Sequence, residues 1–290
     1  MISRFKKALN AYIKNDAKAA AIASLIMDKD CSETDLIKVE GFHDSAVALL
    51  PLLSGDTHNT RISTSVIDYF FRETEGKILF IICGFSAAGK DTLASYVNHA
   101  LYLDGKEFVY TKKYTTRGRR GYEGLNKNGS LSEPSGNYEY FKNPKELEKV
   151  NDAVLSYSLY GHKYALSGDH LKSSSNEDKY QLCIYGKLEN IAEIKQKVFM
   201  KHKRMPFTIL INSPPDDCEH RIIRRHSMPD SEQIARIREM KKQATFLSKN
   251  TTFASTAFDL ILENGDDSGV LANSKVLTEF ISQKMDWANE

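Results

Sequence analysis

At 290 residues the chain has room for one large domain, or for a medium domain with a smaller appendage. Its 41% hydrophobic and 27% charged residues, with 7 Pro and 16 Gly, sit near the globular average and exclude global disorder. Its 40 Lys and Arg against 38 Asp and Glu leave a formal charge of +2, so no strong field draws it to nucleic acid or to a membrane surface.

The first 75 residues predict a small, mainly helical region. Phe5, Leu9, Tyr12 and Ile13, then Ala19, Ile22 and Ile26, recur at helical spacing among charged residues. Apolar clusters follow at Ala46 to Leu53 and at Val66 to Phe71. Nothing in this region carries chemistry; a docking role, a homodimer or partner contact and regulation are all open to it. Ala19 to Met27 is too short for a membrane span of ~20 apolar residues and has Lys14, Asp16 and Lys18 beside it, so the expectation is a cytoplasmic protein. Four cysteines, at 31, 83, 183 and 218, lack the spacing of a metal site or disulfide framework, and Cys83 and Cys183 lie in apolar runs that suit buried thiols.

The pattern changes at Lys77. Ile78 to Cys83 is an unbroken apolar run, as expected of a strand buried on both faces. The next segment, Gly84-Phe85-Ser86-Ala87-Ala88-Gly89-Lys90-Asp91-Thr92, fits G-x-x-x-x-G-K, with Asp91 where Ser or Thr usually stands and Thr92 one place later. Small residues let the backbone curl around a phosphate with its N–H groups inward, and Lys90 reaches the terminal phosphates of ATP. A helix expected from Thr92 to Leu103 directs its positive end at the same anion. Asp91 beside phosphates implies Mg2+ between them, with Asp91 or Thr92 as the contact.

Beyond the loop, Tyr180 to Tyr185, Phe207 to Ile211 and Phe258 to Leu262 predict strands, and Leu188 to Val198 and Val270 to Met285 predict helices. That alternation implies α/β architecture with a parallel sheet. Tyr122 to Gly136, rich in Gly, Asn, Ser and Pro, predicts a mobile surface loop.

The segment Tyr114-Thr-Thr-Arg117-Gly-Arg119-Arg120-Gly-Tyr122-Glu123 concentrates hydroxyls and guanidiniums suited to gripping a phosphate monoester. Arg221 and Arg225 lie four apart on one helical face, after Asn212-Ser-Pro-Pro215 and before a helix bearing Arg236. This order of phosphate loop, T-T-R-x-x-R-x-x-E, tyrosine-rich stretch and arginine lid resembles the guanylate kinase family from about Lys77 onward. The resemblance implies a P-loop NTPase three-layer fold over 76–290 beyond the helical 1–75. The acceptor-binding part falls at about 113–168 and the lid at about 216–245. It further implies that Arg117, Arg120, Glu123 and Tyr138, or Tyr140 in its place, hold the acceptor together with Tyr164. Arg221, Arg225 and Arg236, or Arg238 by another gap, neutralise the transferring phosphoryl group, and Asn264 lies at the adenine end.

The resemblance stops at the guanine pocket, where Leu155, Leu166 and Tyr185 replace polar residues. Leu155, Ser156, Tyr157, Gly161 and Tyr164, with the G-K-D of the loop, instead look like ribose bisphosphate phosphokinases, although those generally lack the second arginine kept here as Arg120. The implied function is an ATP-dependent, Mg2+-using kinase acting on a small phosphate-bearing acceptor. A GMP-like nucleoside monophosphate is the first expectation, with ribose 1,5-bisphosphate phosphokinase activity or an inactive guanylate-kinase-like binding module as alternatives.

Overall fold

Strand β1 (Ile78–Gly84) is buried along its whole length because it runs between two parallel neighbours with both faces covered. The computed structural model describes residues 74–118, 138–141, 143–147, 150, 153–172, 179–225, 229–265 and 269–289. The expected helical region therefore falls almost wholly outside the described residues, and the expected loop at Tyr122 to Gly136 falls outside them entirely.

On one side of β1 lie β7 (Tyr180–Tyr185) and then the short β2 (Val109–Tyr110). On the other side lie β8 (Met205–Asn212) and β9 (Leu260–Glu263). The five strands run parallel in the order β2-β7-β1-β8-β9. The chain leaves β1 through α1 (Lys90–Leu103) toward β2, and leaves β7 through α3 (Ile191–His202) in the opposite direction toward β8. Right-handed crossovers of opposite sense place those two helices on opposite faces. The last helix, α7 (Gly269–Trp287), returns to pack on α1, while α3 packs on β8. The expected α/β architecture with a parallel central sheet is what the chain adopts. Cys83, Cys183 and Cys218 are buried free thiols, and no helix among the described residues is long and apolar enough to cross a membrane.

Because the connections leave in opposite directions on the two sides of β1, a crevice opens beyond its C-terminal end, and the glycine-bounded loop occupies it. Gly84 has φ +151, and a Cβ there would stand 2.5 Å from the Ile211 carbonyl oxygen of β8. Gly84→Ala is accordingly expected to cost about 1–3 kcal/mol, read as a lower urea midpoint at unchanged slope. Gly89 has φ +92, which turns the chain so that α1 starts at Lys90, two residues before the expected Thr92.

A second sheet stands beside this crevice, ordered β4-β3-β6-β5. It comprises β3 (Lys113–Thr115), β4 (Tyr138–Tyr140), β5 (Ala153–Leu159) and β6 (His162–Ser167). The last two form a hairpin whose turn is Tyr160-Gly161, with φ +54 and +79. Helices α4 (Pro215–Ile223) and α5 (Asp230–Lys249) pack together, and α6 (Thr251–Ala257) leads from them back to β9. The start of that strand is pinned by Asp259, which accepts from the Thr208 amide at 2.7 Å and from buried Lys195 at 3.1 Å.

Candidate phosphate-transfer site

Among the described residues, the amides of Ser86, Ala87, Gly89, Lys90, Asp91 and Thr92 donate to no protein group, whereas Ala88 N–H closes a turn on Phe85 O at 3.3 Å. The last of these amides belong to the first turn of α1, so their dipoles and the helix end point the same way. Such a run of open donors is a concave anion cradle.

The cradle is braced from below by residues distant in sequence. Asn264, only 1% exposed, donates its amide to Ala88 O at 2.8 Å, and Ser213 Oγ lies 3.2 Å from the same oxygen and 2.5 Å from Asn264 O. A Cβ on Gly89 would stand 2.6 Å from Asn264 Nδ2. The family resemblance puts Asn264 at the adenine end of the nucleotide; in the structure its buried amide holds the loop, so it is also a support of the cradle.

Lys90 folds back over the loop and donates to Gly84 O at 3.0 Å and Phe85 O at 2.5 Å. Burial lowers its pKa to about 8, with Arg225 acting in the same sense and Asp91 and Cys218 against it. Arg221 reaches the loop from α4, donating to Ala87 O at 3.3 Å and also to Gly265 O. Arg225, just beyond α4, is exposed and within electrostatic reach of Lys90. Arg236 comes from α5 and is 6% exposed. It donates to Ser86 Oγ at 2.9 Å and to Glu232 at 2.7 and 2.9 Å, and its guanidinium lies 4.4 Å from the Tyr160 ring centroid. Arg238 is exposed on the same helix, so of the two alternatives Arg236 is the one at the loop. Three segments thus bring four cations to one cradle, a charge concentration that an anion relieves.

Asp91 and Thr92 are exposed at the start of α1. Among the described residues no group of three or more His, Cys, Asp or Glu could hold a metal. Asp91 and Thr92 offer two hard oxygen donors of the kind that Mg2+ takes beside substrate phosphates.

Among the residues expected to hold an acceptor, Arg117 is 5% exposed, and its guanidinium lies 5.0 Å from the Tyr138 ring centroid and 5.8 Å from that of Tyr140. Both tyrosines therefore flank it. Tyr164 is buried and stacks on Tyr157 at 5.4 Å, and Tyr157 meets Tyr185 edge-on at 4.9 Å. Arg120 and Glu123 lie outside the described residues.

Sequence reasoning missed Lys113, Ser213, Glu232 and Tyr160. Lys113 was legible in principle, because the two-residue period of β3 puts it on the face that continues to Thr115 and Arg117. Tyr160 carried no signal beyond its place before a glycine. Its hydroxyl pKa is raised to about 12 by burial, with Arg236 and Ser86 opposing.

No family model matches the chain, and no curated protein matches it. Among solved structures it is similar to the guanylate kinase from Anaplasma phagocytophilum, with a TM-score of 0.45 and 12% identity over 72% of this chain and 86% of that one.

Proposed function

We propose that the chain is an ATP-dependent phosphotransferase that moves the γ-phosphoryl group of ATP to a small, phosphate-bearing acceptor. The observation that carries this reading is the cradle of open amides from Ser86 to Thr92, ringed by Lys90, Arg221, Arg225 and Arg236. A phosphate oxygen of the acceptor attacks the γ-phosphorus in line as the bond to the ADP oxygen breaks, so catalysis consists of positioning and charge neutralisation. Lys90 and the loop amides hold the phosphates, Arg221, Arg225 and Arg236 balance charge on the moving group, and Arg117 with Tyr138 orients the acceptor. Mg2+, carried by the nucleotide beside Asp91 and Thr92, would supply further charge neutralisation. Closure of α4 and α5 on the bound nucleotide would exclude water that could otherwise hydrolyse ATP.

The test is incubation with Mg-ATP and candidate acceptors, namely GMP, dGMP, other nucleoside monophosphates and ribose 1,5-bisphosphate, with ADP release as the readout. Turnover with one of them is expected. No turnover together with no ATP binding overturns the reading. Arg117→Ala should raise the acceptor's KM by roughly 10- to 100-fold, the size of a charged hydrogen bond, and leave the KM for ATP nearly unchanged. Equal effects on both substrates would place Arg117 elsewhere.

A further inference from the structure

Lys113 is 2% exposed, yet it carries an ammonium. Its Nζ donates to the Tyr138 hydroxyl at 3.0 Å and to Ile184 O at 2.7 Å, and lies 4.3 Å from the Tyr138 ring centroid. Among the described residues no carboxylate forms an ion pair with it, and two partners leave one of its three donors unused. Burial works against its charge, but Tyr138 first, then Cys183 and Asp91, more than offset that, so its pKa stands above the ordinary lysine value. The ammonium is thus held by a phenol, a carbonyl and more distant groups, with no carboxylate in contact with it among the described residues. An anion on a ligand would take the unused donor and supply that contact.

The position says which ligand. Lys113 and Arg117 stand on one face of the same segment and share the Tyr138 ring, at 4.3 and 5.0 Å from its centroid. Ile184, which Lys113 touches, precedes Tyr185, and the wall continues through Tyr157 and Tyr164 to buried Leu155 and Leu166. Guanine's pairing edge carries an O6 that an ammonium can meet, but also N1–H and N2–H2 donors that call for an acceptor such as a carboxylate. This wall meets it with an ammonium, phenols and leucines.

We propose that Lys113 is a second anion site of the acceptor pocket, so that the acceptor carries, besides the phosphate at Arg117, another anionic group where a neutral base would lie. The inference rests on the phosphotransferase reading for the word acceptor, though not for the binding site itself.

Calorimetry with two ligand pairs tests it: ribose 5-phosphate against ribose 1,5-bisphosphate for a second phosphate, and glycerol 3-phosphate against 3-phosphoglycerate for a carboxylate. In at least one pair the doubly anionic member should bind the native protein tenfold or more tighter. Lys113→Met should erase that preference and Lys113→Arg should keep most of it. The Met variant, which loses the bonds to Tyr138 and Ile184, should melt at or below the native protein. The comparison within each pair on native protein stands even if that variant does not fold. Equal binding within both pairs, tighter binding of GMP than of all four, or a preference untouched in Lys113→Met overturns the proposal. ATP binding, followed in parallel, separates the two readings. Its loss would remove the kinase reading and leave the anion site standing, whereas GMP turnover indifferent to Lys113→Met would remove only the anion site.

Discussion

Lys90→Ala is expected to lower kcat/KM for ATP by about 10²–10³-fold, the scale of removing one preorganised charge partner from a developing anion, while the protein stays folded. The side chain lies over the cradle and contacts only the carbonyls of Gly84 and Phe85 within it, so its removal leaves those oxygens accessible and opens no core cavity. The same residue predicts a proton linkage. Burial holds its pKa near about 8 in the free protein, and polyphosphate favours the charged form, so the bound value is higher. Below pH 8 the lysine is already charged in both states and binding moves no proton. Above pH 8 the free form has lost its proton and binding takes one up, so apparent ATP affinity falls as pH rises. Calorimetry at pH 8.5 in two buffers of different ionisation heat should show uptake approaching one proton in the native protein and none through this group in Lys90→Ala. Equal heats in both buffers, with full activity in the variant, would mean that the loop lysine does not meet the nucleotide.

Arg236→Ala is expected to reduce kcat by about 10³-fold, the lower end for an arginine that stabilises the transferring phosphoryl group, with ATP affinity nearly intact. In the ligand-free protein this guanidinium joins three parts of the site: Ser86 in the loop, Glu232 on its own helix and the Tyr160 ring at the β5–β6 turn. The β5–β6 hairpin and the glycine-bounded loop therefore meet through one side chain. Tyr160 holds a left-handed backbone conformation that a bulky residue adopts only at a cost, which fits a turn positioned for that contact. Arg236→Lys should recover only a small part of the lost rate, because an ammonium cannot reproduce the planar fork. Single-turnover kinetics beside an ATP titration separates the outcomes. A loss of ATP binding equal to the loss of rate would make Arg236 a brace of the loop and nothing more.

The central sheet was legible because its signals are local. Ile78 to Cys83 could only be a strand covered on both faces, and Tyr180 to Tyr185 matched its strand residue for residue. Ends were read less well. Strand β8 begins at Met205, before the expected Phe207, and β9 begins at Leu260, after the expected Phe258; the Asp259 amide still donates to Thr208 O at 2.8 Å, but the Thr208 amide goes to the Asp259 carboxylate and not to a backbone carbonyl. The glycines of the loop were legible for the same local reason, and the structure adds why each is needed: Ile211 O crowds Gly84 and Asn264 crowds Gly89. Lys113 was passed over because a lysine in a basic stretch reads as solvated until the strand that buries it is known.

By itself the sequence determined the order of strand, phosphate loop and helix, the lysine and open amides that make the loop an anion cradle, and the arginines near in chain to one another. Each depends on residues within a few positions, where backbone geometry and periodicity are dictated by composition. Only the tertiary structure decided which of those groups converge. Arg236 meets Ser86 across 150 positions, Ser213 meets Ala88 across 125 and Asn264 meets Ala88 across 176. Such pairings follow from the parallel sheet, whose crossovers bring the ends of β1, β8 and β9 to one edge, and from the burial that turns Asn264 into a support and leaves the Lys113 ammonium inside with no carboxylate partner among the described residues.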